Sequence, residues 1–403
     1  MSDGTVGFTA GVSADTGLYD VVIVGAGVAG AYSAYLAARS GLRVLLAERQ
    51  TFPRGKICGC CLNGRAQELL RMAGLEQLLG NLQPVRTDVL RIQRRGCRLE
   101  LPVPGGVVVS RRGLDERLVE AAVSAGANFV DGVTAMVRPC ESDQAQWRGV
   151  SLSRTSQQSE VFGRVVLACD GLGHPSLSRF PEYQSRPEPG ARIGLGAVCE
   201  RRPEDAHFRS SEIVMAVGRG GYVGVVQTES GQLNLAAAVD SRFLQRAGSP
   251  LECLSAIFAE SGVVRPAGLP EAVIRGTQPL TRRSPRLTGH RLLLLGDATG
   301  YVEPFTGEGM AWALTSAWCA APLVVQAVRS GWTGVLEQQY ADGLQSAVGS
   351  EQHICRALTR LLRHSVLSAA AMTAARLCPW AVHAVVRRIN RLPRLPELAL
   401  ETL

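Results

Sequence analysis

Gly25, Gly27 and Gly30, followed by the acid Glu48, have the types and spacing that hold a dinucleotide. The first glycine permits a sharp turn, the second lets backbone approach a pyrophosphate, and the third lets a helix pack closely on a strand. Glu48 follows roughly 20 residues on, where a carboxylate accepts hydrogen bonds from an adenosine ribose and favours an unphosphorylated one, as in FAD or NAD. This chemistry requires a strand before the glycines and a helix after them, so that free N–H groups and the positive end of the helix dipole face the phosphates. The stretch from Tyr19 to Arg49 supplies both. Val21 to Val24 form a β-branched run suited to a strand buried on both faces, a helix follows the glycines, and Arg43 to Ala47 make a second strand that ends at Glu48.

A second motif lies far along the chain, from Arg291 to Leu314. Leu292 to Leu295 read as a buried strand with Gly296 and Asp297 at its carboxyl end, where open α/β sheets place ligands. Gly307, Glu308 and Gly309 then open a helix expected to begin at Met310, with unpaired N–H groups facing outward. A flavin suits this arrangement. Asp297 can accept bonds from ribityl hydroxyls, and the helix start stabilises negative charge on the pyrimidine edge of a reduced ring.

Between the motifs runs a glycine- and cysteine-rich loop beginning at Thr51, with Cys58, Cys60 and Cys61, before a helical pattern at Leu69, Leu70 and Leu75. A zinc site needs a second cysteine pair, and none is suitably spaced, so no metal is expected. A disulfide between the adjacent Cys60 and Cys61 would be strained. The loop is read instead as bringing small side chains and backbone N–H groups to the cofactor, together with Lys56, the only lysine in the chain. Arg111 and Arg112 precede the first turn of a helix running to Ala125, as a guanidinium fork for a diphosphate or as solvated surface arginines.

At 403 residues the chain has room for two or more domains, and its 46% apolar and 19% charged residues are those of a globular protein. The net charge of +8 is carried almost wholly by arginine and shows no patch that would argue for nucleic acid. Eleven cysteines at irregular spacing, with no secretion-type segment before the first strand, lead us to expect reduced thiols and a cytoplasmic location. The most apolar stretch, Ala311 to Val328, is interrupted by polar residues and reads as a buried helix.

The expected fold class is α/β: a Rossmann-like domain with a parallel sheet and helices, an antiparallel-sheet substrate domain, and C-terminal helices. Residues 1–17 read as a disordered tail. Residues 18–80, 105–180 and 281–330 make the discontinuous nucleotide domain, 81–104 and 181–280 the substrate domain, and 331–403 the helical segment. In that last segment Arg356, Arg360 and Arg363 share a face, with Arg387 and Arg388 further on. They form either a basic surface for peripheral contact with a membrane or greasy substrate, or a lid whose arginines face water.

Four segments together resemble the FAD-dependent oxidoreductases of the p-hydroxybenzoate hydroxylase type: the glycine turn with Glu48, Arg111 to Asp115, Cys169-Asp170-Gly171 with Ser176 and Arg179, and Gly296 through Gly309. The loop from Phe52 to Gly59 is most similar to the geranylgeranyl reductase branch, which neighbours flavin-dependent halogenases and hydroxylases. The resemblance implies FAD, with Ala29 and Gly30 at the pyrophosphate, Glu48 at the ribose and Arg49 on the adenosine side. It further implies Cys58 and Gly59 near the flavin ring, Arg111 at the diphosphate, Asp297 at the ribityl chain, and Gly309 and Met310 at the pyrimidine edge. NAD(P)H is implied as a transient reductant, since no second nucleotide turn is visible. The branch's aromatic YxWxFP run is absent, Gly221 to Val226 standing in its place, and so is the halogenases' WxWxIP motif. The leading expectation is therefore a monooxygenase that hydroxylates an aromatic or polyketide substrate through a flavin C4a-hydroperoxide. Reduction of C=C bonds in a prenyl or polyketide lipid, halogenation, and a non-catalytic flavin-binding partner protein are the alternatives. Cys58, Tyr222, His207 and Glu303 are the candidates to touch substrate.

Overall fold

In the computed structural model, residues 17–397 are described except 96, 141, 143, 304, 306, 364, 379, 381–383, 385, 386, 389 and 390. The expected N-terminal tail lies, but for Gly17, outside the described residues.

The β-branched run after Tyr19 becomes the centre of a parallel sheet. Leu18–Val24 pairs in parallel with Val44–Ala47 on one side and Gln157–Ala168 on the other; Asn128–Val130 and Leu292–Leu294 extend the sheet outward. The chain leaves the central strand to one side and later returns to the other, so the carboxyl end of Leu18–Val24 is a topological switch point, where such sheets open a crevice. One face packs under the helices Val28–Arg39, Arg111–Ser124 and Gly309–Ser330, through Val21, Ile23, Val165 and Leu167. The other face, through Val22, Val24 and Val166, is covered by the antiparallel strands Thr134–Val137 and Arg148–Arg154.

Val28–Arg39 is buried on every side from Val28 to Ala38, and its alanines let the sheet and two helices approach it at once. Gly309–Ser330 is the stretch expected to be a core helix. It is long and apolar enough to cross a bilayer, yet 72% of its most apolar window is buried inside this chain. It begins one residue earlier than expected, with Glu308 at the N-cap. Arg111 and Arg112 likewise do not precede their helix: they are its first two residues, and Ser110 caps it by accepting the Gly113 N–H at 3.1 Å.

The second sheet runs in the order Arg275–Pro279, Ile193–Cys199, Leu233–Val239, Gly221–Gln227, Glu212–Gly218, Val85–Arg94, Cys97–Val108 and Cys61–Leu62. It is mixed and not purely antiparallel, because Glu212–Gly218 runs parallel to Val85–Arg94. Side chains alternate as strand geometry requires. Val214, Ala216, Val223, Val225 and Leu235 pack on the helix Pro250–Ser261, leaving Met215, Tyr222, Gly224, Val226, Ala236 and Ala238 on the opposite face. The expected domain boundary between 104 and 105 falls inside Cys97–Val108, and Cys61–Leu62 pairs with the end of that strand.

The C-terminal segment is not an appendage. Gly334–Arg363 packs along Gly309–Ser330, and Arg65, 1% exposed, joins them by donating to Glu351, to Thr315 Oγ1 at 2.9 Å and to the Ala347 carbonyl at 3.0 Å. Two of the three arginines expected on a basic face are engaged by the chain itself. Arg356 lies 3.6 Å from Glu188, and Arg363 donates to the Gly190 carbonyl at 2.6 Å, while Arg360 is exposed.

Candidate cofactor and substrate site

The turn after Leu18–Val24 is built so that no side chain can enter it. A Cβ on Gly30 would lie 1.8 Å from the Gly25 carbonyl oxygen, and one on Gly25, at φ +97°, would lie 2.6 Å from the Cys169 carbonyl oxygen. These two glycines set the turn from behind. Gly27 differs: a Cβ there would meet only guanidinium nitrogens, Arg111 Nη2 at 3.6 Å and Arg54 Nη2 at 3.9 Å. The open space before the Val28–Arg39 helix is thus framed by N–H groups and two cations.

Glu48 is buried, with Oε2 accepting the Ala26 N–H at 2.9 Å and Oε1 the Gln50 N–H at 3.0 Å. The carboxylate therefore fixes the glycine turn to the end of the second strand, and it is not among the residues on the cavity wall. Arg111 makes a paired contact with Asp115, Nε to Oδ1 at 2.9 Å and Nη2 to Oδ2 at 2.8 Å, and Arg54 Nη1 reaches Asp115 Oδ2 at 2.8 Å. Burial works against the Arg111 charge, but Asp115 and Cys58 outweigh it and hold the guanidinium protonated. Arg54 and Asp115 belong to two of the segments that carry the resemblance, but neither had a role of its own there; the four-residue spacing of Arg111 and Asp115 on one helix was the available signal.

The second motif arrives at the same place. A Cβ on Gly296 would come 2.9 Å from the Ala29 Cβ, and Gly309–Ser330 packs along Val28–Arg39. The Gly296 N–H donates to Ser316 Oγ at 2.8 Å, and the adjacent Asp297 takes a salt bridge from Lys56 at 3.1 Å. A single cavity of about 480 Å³ has Gly27, Val28, Ala29, Arg49, Arg111, Asp297, Gly307, Gly309 and Met310 on its wall, together with Cys58 and Gly59. The two distant helix starts therefore converge on one cavity.

The loop from Arg54 to Cys61 crosses between the sheets. Ile57 sits against Gly196, where an added Cβ would lie 2.7 Å from its Cγ2, and Asn234 Nδ2 donates to the Cys58 carbonyl at 2.9 Å. The neighbouring Cys60, opposed by burial and aided by the Arg111 charge, brings the Cys58 thiol down to about 6. Burial and the nearby Cys58 push Cys61 up to about 12. Tyr222 also lines the cavity, with Arg192 over its ring at 5.6 Å, and burial followed by the Glu303 charge pushes its hydroxyl well above the ordinary phenol range. Glu303 is buried and paired with Arg192 at 3.0 Å, and it does not reach the cavity wall where it was expected to touch substrate.

His207 is a correction. It ends the short helix Pro203–His207, and its ring contacts the carbonyls of Glu204 and Val264, each at 3.2 Å, away from the cavity. Its isolated place in an irregular connection gave no sign of which side of the sheet it would take. Asp170 accepts the Ser176 N–H at 2.7 Å and so shapes the turn after Gln157–Ala168, while its neighbours Cys169 and Gly171 reach the cavity.

Residues 18–334 match the family model described as FAD binding domain. The chain is 29% identical over 344 residues to a menaquinone reductase of Mycobacterium tuberculosis, covering 81% of this chain and 82% of that one. It is 28% identical over 320 residues to digeranylgeranylglycerophospholipid reductase 1 of Methanopyrus kandleri, covering 77% and 81%. The fold is shared with p-nitrophenol 4-monooxygenase from Pseudomonas putida at a TM-score of 0.75 and 13% identity, over 93% and 96% of the two chains. A pyrophosphate fits the open space at Gly27 between two guanidinium groups, and a flavin ribityl chain fits beside Asp297. The chain belongs to the FAD-binding domain family and is an FAD-dependent oxidoreductase.

Proposed function

We propose that this protein reduces carbon–carbon double bonds in an extended apolar substrate of the isoprenoid or polyketide-lipid class. The observation that carries this reading is the sheet wall facing the loop at Cys58. Gly194, Gly224, Ala236 and Ala238 leave the wall bare of large side chains, while Leu90, Ile213, Met215, Val226 and Leu280 border it. Such a surface binds by burying apolar area, worth about 25 cal/mol per Å², and it rewards length and flatness over polar groups. The names of the two reductase relatives support the same substrate class.

Saturating a double bond adds a hydride equivalent at one carbon and a proton at its neighbour. FAD, bound and reduced, supplies the hydride equivalent. The chain's own part is to hold it and to manage the proton. Arg111 with the start of Val28–Arg39 binds the diphosphate, Asp297 takes the ribityl hydroxyls, and the start of Gly309–Ser330 offsets negative charge at the ring. Cys58 is the acid–base group on the cavity wall, and a thiol near 6 exchanges its proton readily at neutral pH. NAD(P)H is the proposed source of electrons.

Hydroxylation of an aromatic ring, ranked first on sequence alone, is the second reading. It draws support from the fold shared with a monooxygenase and from the missing aromatic run in Gly221–Gln227. Oxygen separates the two. Holoenzyme incubated anaerobically with a reductant and an unsaturated isoprenoid quinone should yield a product that, once any quinol has been reoxidised to the quinone, is still richer by two hydrogens in its side chain. Turnover that requires oxygen and leaves one oxygen atom in the product would overturn reduction in favour of hydroxylation.

A further inference from the structure

Three of the eleven cysteines fall within four residues, and all three line the cavity. They are not equivalent. Cys60 adopts φ +60°, a left-handed conformation that glycine takes without cost and a cysteine does not. Gly59 stands immediately before it, so the chain carries a side chain at the very position where a second glycine would relieve the backbone. This conformation turns Cys60 back on Cys58. The Cys60 N–H donates to Cys58 Sγ at 3.4 Å, and the Cys60 thiol donates to the Cys58 carbonyl at 3.7 Å, which sets both side chains of the pair against the same short turn. The Cys61 thiol is turned to the Gly59 carbonyl at 3.3 Å. The charge of Arg111 on the same cavity wall favours the Cys58 thiolate. Asn234 and Ile57 hold the loop in place against the sheet.

We propose that Cys58 and Cys60 form a peroxide-responsive dithiol on the wall of the flavin cavity, with Cys58 the attacking thiolate and Cys60 the resolving thiol. The proposal rests on reading this cavity as the flavin site, and it adds reversible control to it. The oxidant is a hydroperoxide, the class of molecule that forms when a reduced flavin meets oxygen without substrate. Cys58 sulfur attacks the peroxide, an S–O bond forms as the O–O bond breaks, and the departing oxygen takes a proton to leave as water or an alcohol. Sulfur is oxidised by two electrons and the peroxide reduced by two. Cys60 sulfur then attacks Cys58 sulfur; the S–S bond forms, the S–O bond breaks, and the hydroxide leaves with the Cys60 proton as water. The closed pair removes the cavity's acid–base thiol until a dithiol reductant restores it.

The test uses the FAD-loaded protein, hydrogen peroxide added in molar steps under nitrogen, alkylation after denaturation, and mass spectrometry of the tryptic peptide Ile57–Arg65, which contains all three cysteines. The peptide should lose two hydrogens, keep one alkylatable thiol and regain all three with dithiothreitol. Cys58 should react at least about tenfold faster than the exposed Cys378. Cys60→Ser should stop at a sulfenic acid on Cys58 that a 1,3-dione traps, and Cys61→Ser should still close the disulfide. A disulfide that survives in Cys60→Ser, or a Cys58 no faster than Cys378, would overturn the proposal. Flavin absorbance of the same sample reports the cofactor site separately: unreactive thiols with FAD bound sink the dithiol alone, and absence of bound FAD sinks the reading of the cavity.

Discussion

Arg111 Nη2 stands 3.6 Å from the point where a Cβ on Gly27 would sit, with the Asp115 carboxylate gripping the guanidinium from the other side. Asp115 therefore fixes Arg111 before any ligand arrives, and the open side of the fork faces the helix start. Replacing Arg111 with leucine should weaken FAD binding at least about tenfold, ~1.4 kcal/mol or more for a charge-assisted contact. Arg111→Lys should recover only part of the loss, because an ammonium cannot make the paired contact. Fluorescence titration of apoprotein checks both; unchanged affinity in Arg111→Leu would move the diphosphate elsewhere.

Asp297→Ala separates cofactor affinity from fold stability. Its salt bridge to Lys56 is partly solvent-screened, with side chains 19% and 39% exposed, so breaking it should change thermal stability little. FAD affinity should fall by about tenfold, ~1.4 kcal/mol. A large loss of melting temperature without weaker FAD binding would make Asp297 a structural residue.

Alkylation of Cys58 in the apoprotein should follow its thiolate. The thiol is lowered to about 6, so the rate should rise as pH increases through that value and level off above it. Part of the lowering comes from Arg111, whose charge a bound diphosphate would offset. Saturating FAD should therefore shift the midpoint to higher pH. A midpoint in the ordinary thiol range in both forms would contradict the electrostatic account.

Enlarging Ala236, on the bare wall of the cavity, to phenylalanine should fill space meant for substrate while leaving the nucleotide end untouched. The expected result is normal FAD content with KM raised about tenfold or more, on the scale of lost apolar burial. Loss of FAD with unchanged KM would place the flavin, not the substrate, against this wall.

His174 is fully buried, and burial followed by the Arg282 charge brings its imidazole down to about 4. The unfolded chain binds this proton more readily, so stability should fall as pH drops from about 6.5 towards 4, by up to about 3 kcal/mol. Denaturant unfolding across that range should show a shallower slope in His174→Asn, a residue that tolerates the left-handed backbone at φ +39°. An identical slope would assign acid lability to other groups.

The parallel sheet and both helix starts were legible because their signals are local: β-branched runs, glycines at fixed offsets, and an acid at the end of the second strand. Asp297 could be named from those same motifs, whereas the roles expected of Arg111 at the diphosphate and Cys58 near the flavin came from the family resemblance. What brings them together was not legible. Nothing near Gly296 in the chain announces contact with Ala29, and nothing near Asn234 announces its bond to the Cys58 carbonyl, because both depend on how distant strands order themselves. The parallel pairing of Glu212–Gly218 with Val85–Arg94 was missed for the same reason: alternation sets which face a side chain takes and says nothing of the neighbouring strand's direction. His207 shows the converse, a chemically able residue whose position is decided by packing.

The claim on which the rest depends is that the space before Gly27 and the start of Gly309–Ser330 grip one FAD molecule. Titrating apoprotein with FAD, beside the Gly27→Val variant, tests it directly. The wild type should take up one FAD per chain with a shifted flavin spectrum, and the variant, whose added side chain projects between Arg111 and Arg54, should stay folded and take up none. A wild type that binds no FAD, or a variant that binds it as well as the wild type, would contradict the account.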